Sequence, residues 1–169
     1  MRTLDNLEEY LSEWIDKIDV KTDKPFINGR SIQYCPYAKS AWINNKAKIV
    51  KIKKLTLDNF WCTVTKELEA FGKQKDIVII AAMTDVHVIN GLQLVGGCDA
   101  INCMLAEQKQ DKWLLNQYGE DYTMVMIQRM TDLDNASIAL EKKGYYEGLN
   151  EYSFNKQILL RRKMREKLK

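Results

Sequence analysis

The sequence predicts an α/β fold: a small layered domain with a mainly parallel three- to four-stranded sheet, flanked by helices and closed by a basic C-terminal helix. Three observations lead there. The runs at 76–83 (DIVIIAAM) and 122–130 (YTMVMIQRM) are continuously apolar, as strands buried on both faces are. Between such runs lie stripes at helical spacing, of which Leu57, Trp61, Val64, Leu68 and Phe71 form the clearest. Strands alternating with helices of this length favour a layered sheet whose right-handed crossovers put helices on both faces.

Each element has its own signal. Leu4, Leu7, Leu11, Trp14, Ile15 and Ile18 repeat at helical spacing with acids early in the run. Residues 21–30, with Pro25 and Asn28-Gly29, read as a connecting loop. A short helix is expected from Cys35-Pro36 to about Asn45, stopped by Asn44-Asn45. Lys46 to Lys53 reads as an edge strand guarded by lysines, with a change of phase at Ile49-Val50 that predicts a bulge. Thr56 or Asp58 caps the next helix and Gly72 ends it. After the first buried strand, 89–118 reads as mainly helical, broken at Gly96-Gly97 and closed by Gly119. Asp134 or Asn135 is expected to cap a helix ending at Gly144, and 153–168 reads as an amphipathic helix with Leu160, Met164 and Leu168 in line.

Composition narrows the class. With 169 residues, 46% hydrophobic and 29% charged, the chain is expected to be one domain burying a core without staples. No window approaches 18 uncharged apolar residues, which argues against a membrane span. Met1 to Asp5 runs straight into acids and lacks the apolar core of a signal peptide, so a cytoplasmic setting is expected. Cys35, Cys62, Cys98 and Cys103 contain no C-x-x-C pair, arguing against a zinc ribbon or dithiol motif and for free thiols. Net charge is +3 but uneven: five lysines and no acid at 46–54, and seven bases against one acid from Lys156 onward. Those segments suit nucleic acid or an acidic partner, or simply a solvated face.

Chemistry concentrates in two places. Pro36 at a first helical position makes Cys35 the expected N-cap, its sulfur facing unpaired N–H groups and the positive end of the dipole. That placement favours a thiolate and lowers a cysteine pKa from about 8.5. Lys39, one turn along, adds positive charge, and Tyr37 lies between them. The second place is an echo: both apolar runs end in Met-Thr-Asp, as Met83-Thr84-Asp85 and Met130-Thr131-Asp132. If those strands are parallel neighbours, Asp85 and Asp132 meet at the carboxyl edge, where open α/β sheets collect ligands. The single histidine, His87, follows Asp85, and Arg129 precedes Asp132.

Three readings follow. In one, Cys35 is a nucleophile toward a small molecule, with His87 as base and Asp85 or Asp132 orienting it; Tyr37, Lys39 and Arg129 bind substrate. In another, Asp85, His87 and Asp132 hold a divalent metal that activates water. In the third there is no chemistry: the acids cap helices and Cys35 is a buried cap. Gly96-Gly97 matches neither a P-loop nor a dinucleotide fingerprint, and a kink or a close helix–sheet contact is expected there.

Two resemblances meet at Cys35. Tyr34-Cys35-Pro36-Tyr37 looks like a glutaredoxin active site, but Ala38 stands where the resolving cysteine belongs. That family also needs a later cis-proline, and Pro25 and Pro36 are the only prolines, so the assignment fails. The Cys35-to-Lys39 segment is more similar to a group of bacterial proteins of unassigned activity whose corresponding string reads approximately Leu-Cys-Pro-Phe-Ala-Lys. The similarity covers about the first 80 residues, through Trp14-Ile15 and Glu67-Leu68. It implies importance for Cys35 and its neighbours, with no activity to carry over.

Overall fold

The computed structural model describes residues 2–16, 36–85, 94–118, 121–144, 146 and 158–169. Within them four strands form one sheet in the order β1-β2-β4-β3. In chain order the elements are α1 (Leu7–Asp16), α2 (Pro36–Ile43), β1 (Ala47–Ile52), α3 (Leu57–Ala70) and β2 (Ile77–Met83). There follow α4 (Leu94–Glu107), β3 (Trp113–Tyr118), β4 (Tyr122–Gln128), α5 (Met130–Lys142) and α6 (Leu160–Arg165), the last continued by a 3-10 turn at Glu166–Leu168.

The sheet is mixed, which corrects the expectation of a mainly parallel one. β1 runs parallel to β2, whereas β4 lies antiparallel to both β2 and β3. The physical cause is the hairpin between β3 and β4, which turns the chain back and slots β4 between β2 and β3. β3 itself lies within the stretch expected to be helical to Tyr118. The helix instead stops at Glu107, and the chain turns through Lys109 at φ 56. In β1 the pairing runs unbroken from Ala47↔Ile77 to Ile52↔Ala82, with no bulge at Ile49-Val50.

Helices cover both faces. On one, Leu7 and Leu11 of α1 and Ala38 and Ala41 of α2 pack on Ile77, Ile79, Met124 and Met126. On the other, Phe60, Val64 and Leu68 of α3 with Cys98 and Leu105 of α4 pack on Val78, Ile80, Val125 and Ile127. β2 and β4 are therefore enclosed, as their unbroken apolar runs require.

Local chemistry sets the element ends. Thr56 caps α3, its side chain accepting from Asn59 N at 3.1 Å. α3 ends at Ala70, two residues before Gly72. Asn45, at φ 54, takes the chain out of α2, as an asparagine tolerates. Gly96 and Gly97 sit inside a continuous α4. A Cβ on Gly97 would fall 2.5 Å from the Trp61 ring, so this glycine permits a close contact between α4 and α3 rather than a kink or a contact with the sheet. α5 starts four residues before the expected Asp134 cap, because Asp111 from the loop before β3 accepts from Thr131 N at 2.8 Å. The buried Asn102 of α4 holds the outer edge of β3, donating to Leu114 O (2.9 Å) and accepting from Leu114 N (2.7 Å).

α6 docks on α5 largely through charge. Arg161 Nε meets Asp134 Oδ1 at 2.6 Å with both side chains buried, and Arg162 pairs with Glu141 at 2.7 Å. Lys167 pairs with Glu107 of α4. Met164 and Leu168 add apolar contact with a small cluster of Trp113, Met130 and Leu133. The expected start of this helix, 153–157, lies outside the described residues. Among the described residues no helix is long and apolar enough to cross a membrane.

Candidate functional site

Among the described residues, a dense polar constellation lies where β4 ends, β2 begins and α2 opens. Arg129 sits between the last residue of β4 and the first of α5, in extended conformation (φ −79, ψ 130), which throws its side chain clear of the sheet. Its Nε donates to Asp132 Oδ2 at 2.6 Å, one turn into α5, and its NH2 donates to Asp76 Oδ1 at 2.5 Å. NH1 donates to the backbone carbonyls of Gly72 (3.1 Å) and Lys75 (2.9 Å), and the guanidinium lies over the Phe71 ring at 5.5 Å. One planar fork thus ties the α3–β2 connection to the start of α5, a task for which arginine's fixed geometry is suited.

Tyr37, the second residue of α2, joins this group from the other side, its hydroxyl donating to Asp132 Oδ2 at 3.2 Å. Burial pushes its phenol well above the usual tyrosine range, and the negative charges of Asp132 and Asp76 push the same way. Tyr37 therefore acts here as a neutral donor. For Arg129 burial opposes the charge, but the hydrogen bond and charge of Asp132 outweigh it, and its pKa rises. The side chains stay partly open, with Arg129 21%, Asp76 34% and Asp132 38% exposed. Solutes can reach them.

Trp113 borders the same place. It pairs with Gln128, the residue before Arg129, and packs with Met130, Leu133 and Tyr37. It is 5% exposed, yet among the described residues its Nε1–H has no hydrogen-bond acceptor. Leaving such a donor dry costs about 1–3 kcal/mol.

Of the residues the sequence singled out, Tyr37, Arg129 and Asp132 converge here. Asp85 does not. Antiparallel pairing sets Met83 opposite Tyr122 and Ile77 opposite Gln128, so Asp85 leaves the sheet at one end and Asp132 at the other. β2 separates them by roughly 20 Å at about 3.3 Å per residue. The expected meeting of the two Met-Thr-Asp tripeptides at one edge is overturned, and with it a metal site built on Asp85 and Asp132 together. Among the described residues no three His, Cys, Asp or Glu side chains are grouped to hold a metal. Lys39 stands half-buried on α2. Cys35 and His87 lie outside the described residues; Pro36, bonded to Cys35 in the chain, is the first residue of α2.

The other cysteines are located by contrast. Cys62 and Cys103 are exposed, and Cys98 is buried in the core. Burial, assisted by the charge of Asp99, pushes the Cys98 thiol up to about 12. A concavity of about 590 Å³ along α3, lined by Leu57, Trp61, Cys62 and Lys66 among others, is bordered by none of the candidate residues.

Sequence reasoning missed Asp76 and Phe71 as members of this group. The three-residue spacing of Arg129 and Asp132 was available as a helix-start pair. Asp76 becomes a partner only once β2 and β4 are known to be antiparallel. No family model matches the chain, and no match was found among curated proteins or solved structures.

Proposed function

We propose that this protein is a small-molecule enzyme using Cys35 as a reactive thiol, with the Tyr37–Asp132–Arg129 group shaping the adjoining surface. The observation that carries this reading is the anchoring of the α2 N-terminus. Pro36 opens the helix, and Tyr37 is bonded to Asp132 at the carboxyl end of β4. We read Cys35, the residue before Pro36 in the chain, as the N-cap of that helix, where free backbone N–H groups and the dipole would favour a thiolate. Arg129 adds a positive charge to the surface beside Tyr37, although Asp76 and Asp132 compensate it. A metal-dependent alternative loses its support with the separation of Asp85 from Asp132.

A nucleic-acid or acidic-protein partner draws less support. Lys48 pairs with Glu67, Lys51 with Glu8, Arg161 with Asp134, Arg162 with Glu141 and Lys167 with Glu107. Cations already neutralised within the chain release few counterions on binding a polyanion.

Alkylation by iodoacetamide, followed cysteine by cysteine, tests the thiol reading. Cys35 is expected to react faster than exposed Cys62 and Cys103 at neutral pH, and buried Cys98 slowest. Equal rates at Cys35 and Cys62 would overturn it.

A further inference from the structure

We propose that β1 is a pairing edge: two copies of this chain join through antiparallel β1 strands, making one continuous sheet across a two-fold axis. The inference goes beyond the thiol reading and does not depend on it.

Hydrogen bonding fixes which backbone groups of β1 are open. Lys46 O accepts from Ile77 N at 3.3 Å, and the register then runs unbroken from Ala47↔Ile77 to Ile52↔Ala82. In a parallel pair alternate residues bond to the neighbouring strand, so Lys48, Val50 and Ile52 face β2. The N–H and C=O groups of Ala47, Ile49 and Lys51 point the other way. Among the described residues these groups have no hydrogen-bond partner, and β1 is the last strand on that side.

The usual protections of such an edge are absent or disarmed. β1 contains no proline and no bulge. Its two lysines are drawn back over the faces of the sheet. Lys48 Nζ meets Glu67 of α3 at 2.6 Å on one face, and Lys51 Nζ meets Glu8 of α1 at 2.7 Å on the other. Their charges are thereby compensated within the chain, and Ile49 and Val50 between them are partly exposed. The opposite edge differs, because Asn102 already occupies both backbone groups of Leu114 in β3.

The sequence of β1 fits a second copy of itself. Two-fold antiparallel pairing centred on Ile49 sets Ile49 against Ile49, Ala47 against Lys51, Lys48 against Val50 and Lys46 against Ile52. The residues with outward backbone groups then face each other, as pairs that exchange both hydrogen bonds. No lysine stands opposite a lysine. Centring on Lys48 or Lys51 opposes that lysine to itself, centring on Ala47 opposes Lys46 to Lys48, and centring on Val50 opposes Lys46 to Lys54. Like charges directly opposite are destabilising, so one register is selected.

Sedimentation equilibrium of the full chain tests this. One strand pair is a small interface of the weak class, so dimer is expected to grow in between about 10 μM and 1 mM. Ile49→Pro removes an outward N–H, which an edge strand tolerates, and is expected to stay monomeric throughout with an unchanged far-UV circular dichroism spectrum. A second readout uses the unaltered chain. Amide hydrogen exchange at Ala47, Ile49 and Lys51 is expected to slow about tenfold from the lowest to the highest concentration, with Lys48 and Val50 slow at both. A monomer at every concentration, a dimer that Ile49→Pro leaves intact, or exchange at Ile49 indifferent to concentration overturns the proposal.

Discussion

Two arginine–aspartate pairs, each closed by Nε at 2.6 Å, stand on opposite sides of the first turns of α5 and do different work. Arg129–Asp132 is partly open to solvent, and its guanidinium is shared among two carboxylates, two carbonyls and a phenyl ring. Arg161–Asp134 is sealed, at 5% and 0% exposure, and among the described residues Asp134 Oδ2 has no hydrogen bond, with Arg165 NH1 3.7 Å away. Residues 132 and 134 are two apart on a helix, so they face roughly 200° away from each other. One acid serves an accessible surface and the other a helix-docking contact. Identical pair chemistry therefore says little about function; access to water and the number of satisfied partners say more.

The largest expected effect comes from breaking the sealed pair. Arg161→Met leaves Asp134 buried without its main cation and should lower stability in urea by about 3–5 kcal/mol, since removal of one partner strands the other charge. Arg161→Met combined with Asp134→Leu should recover most of that loss. A single substitution costing no more than an exposed pair would contradict the contrast. Arg129→Lys comes next, at about 1–2 kcal/mol. A lysine keeps the charge but cannot span both carboxylates and both carbonyls, and partial exposure weakens what is lost. Full stability in this variant would show that the fork is incidental.

Tyr37→Phe is the smallest, at about 1 kcal/mol near neutrality for one hydrogen bond. Its sharper signature is alkaline. The folded phenol titrates above its ordinary value of 10.0, so below that pH both folded and unfolded chains keep the proton and the stabilisation is whole. As pH rises past 10 the unfolded chain releases its proton first, and stability falls. The Phe variant should decline less steeply there in urea melts at stepped pH. Parallel decline in both proteins would remove Tyr37 from the network.

What was readable in the sequence followed from local, repeated signals. The stripe through Trp61, Val64 and Leu68 marks α3, and the unbroken apolar runs mark β2 and β4 to within two residues. What was not readable depended on partners far along the chain. No glycine or proline lies between Cys98 and Tyr118, so nothing announced that Lys109 would adopt a positive φ and free Trp113–Tyr118 to become a strand. The start of α5 was misplaced because its cap, Asp111, comes from 20 residues upstream. Strand direction carried the heaviest penalty. An apolar run reads the same in either direction, and reversing β4 moved Asp132 away from Asp85 and toward Tyr37 and Asp76. Tyr37, Arg129 and Asp132 were each singled out from sequence, but for a different neighbourhood.

The central claim is that the residue preceding Pro36 is an activated thiol, and the pH dependence of its alkylation tests this most directly. The account predicts a midpoint for Cys35 well below the value of about 8.5 for an ordinary cysteine. A midpoint at or above that value, or one matching Cys62 in the same sample, would contradict it.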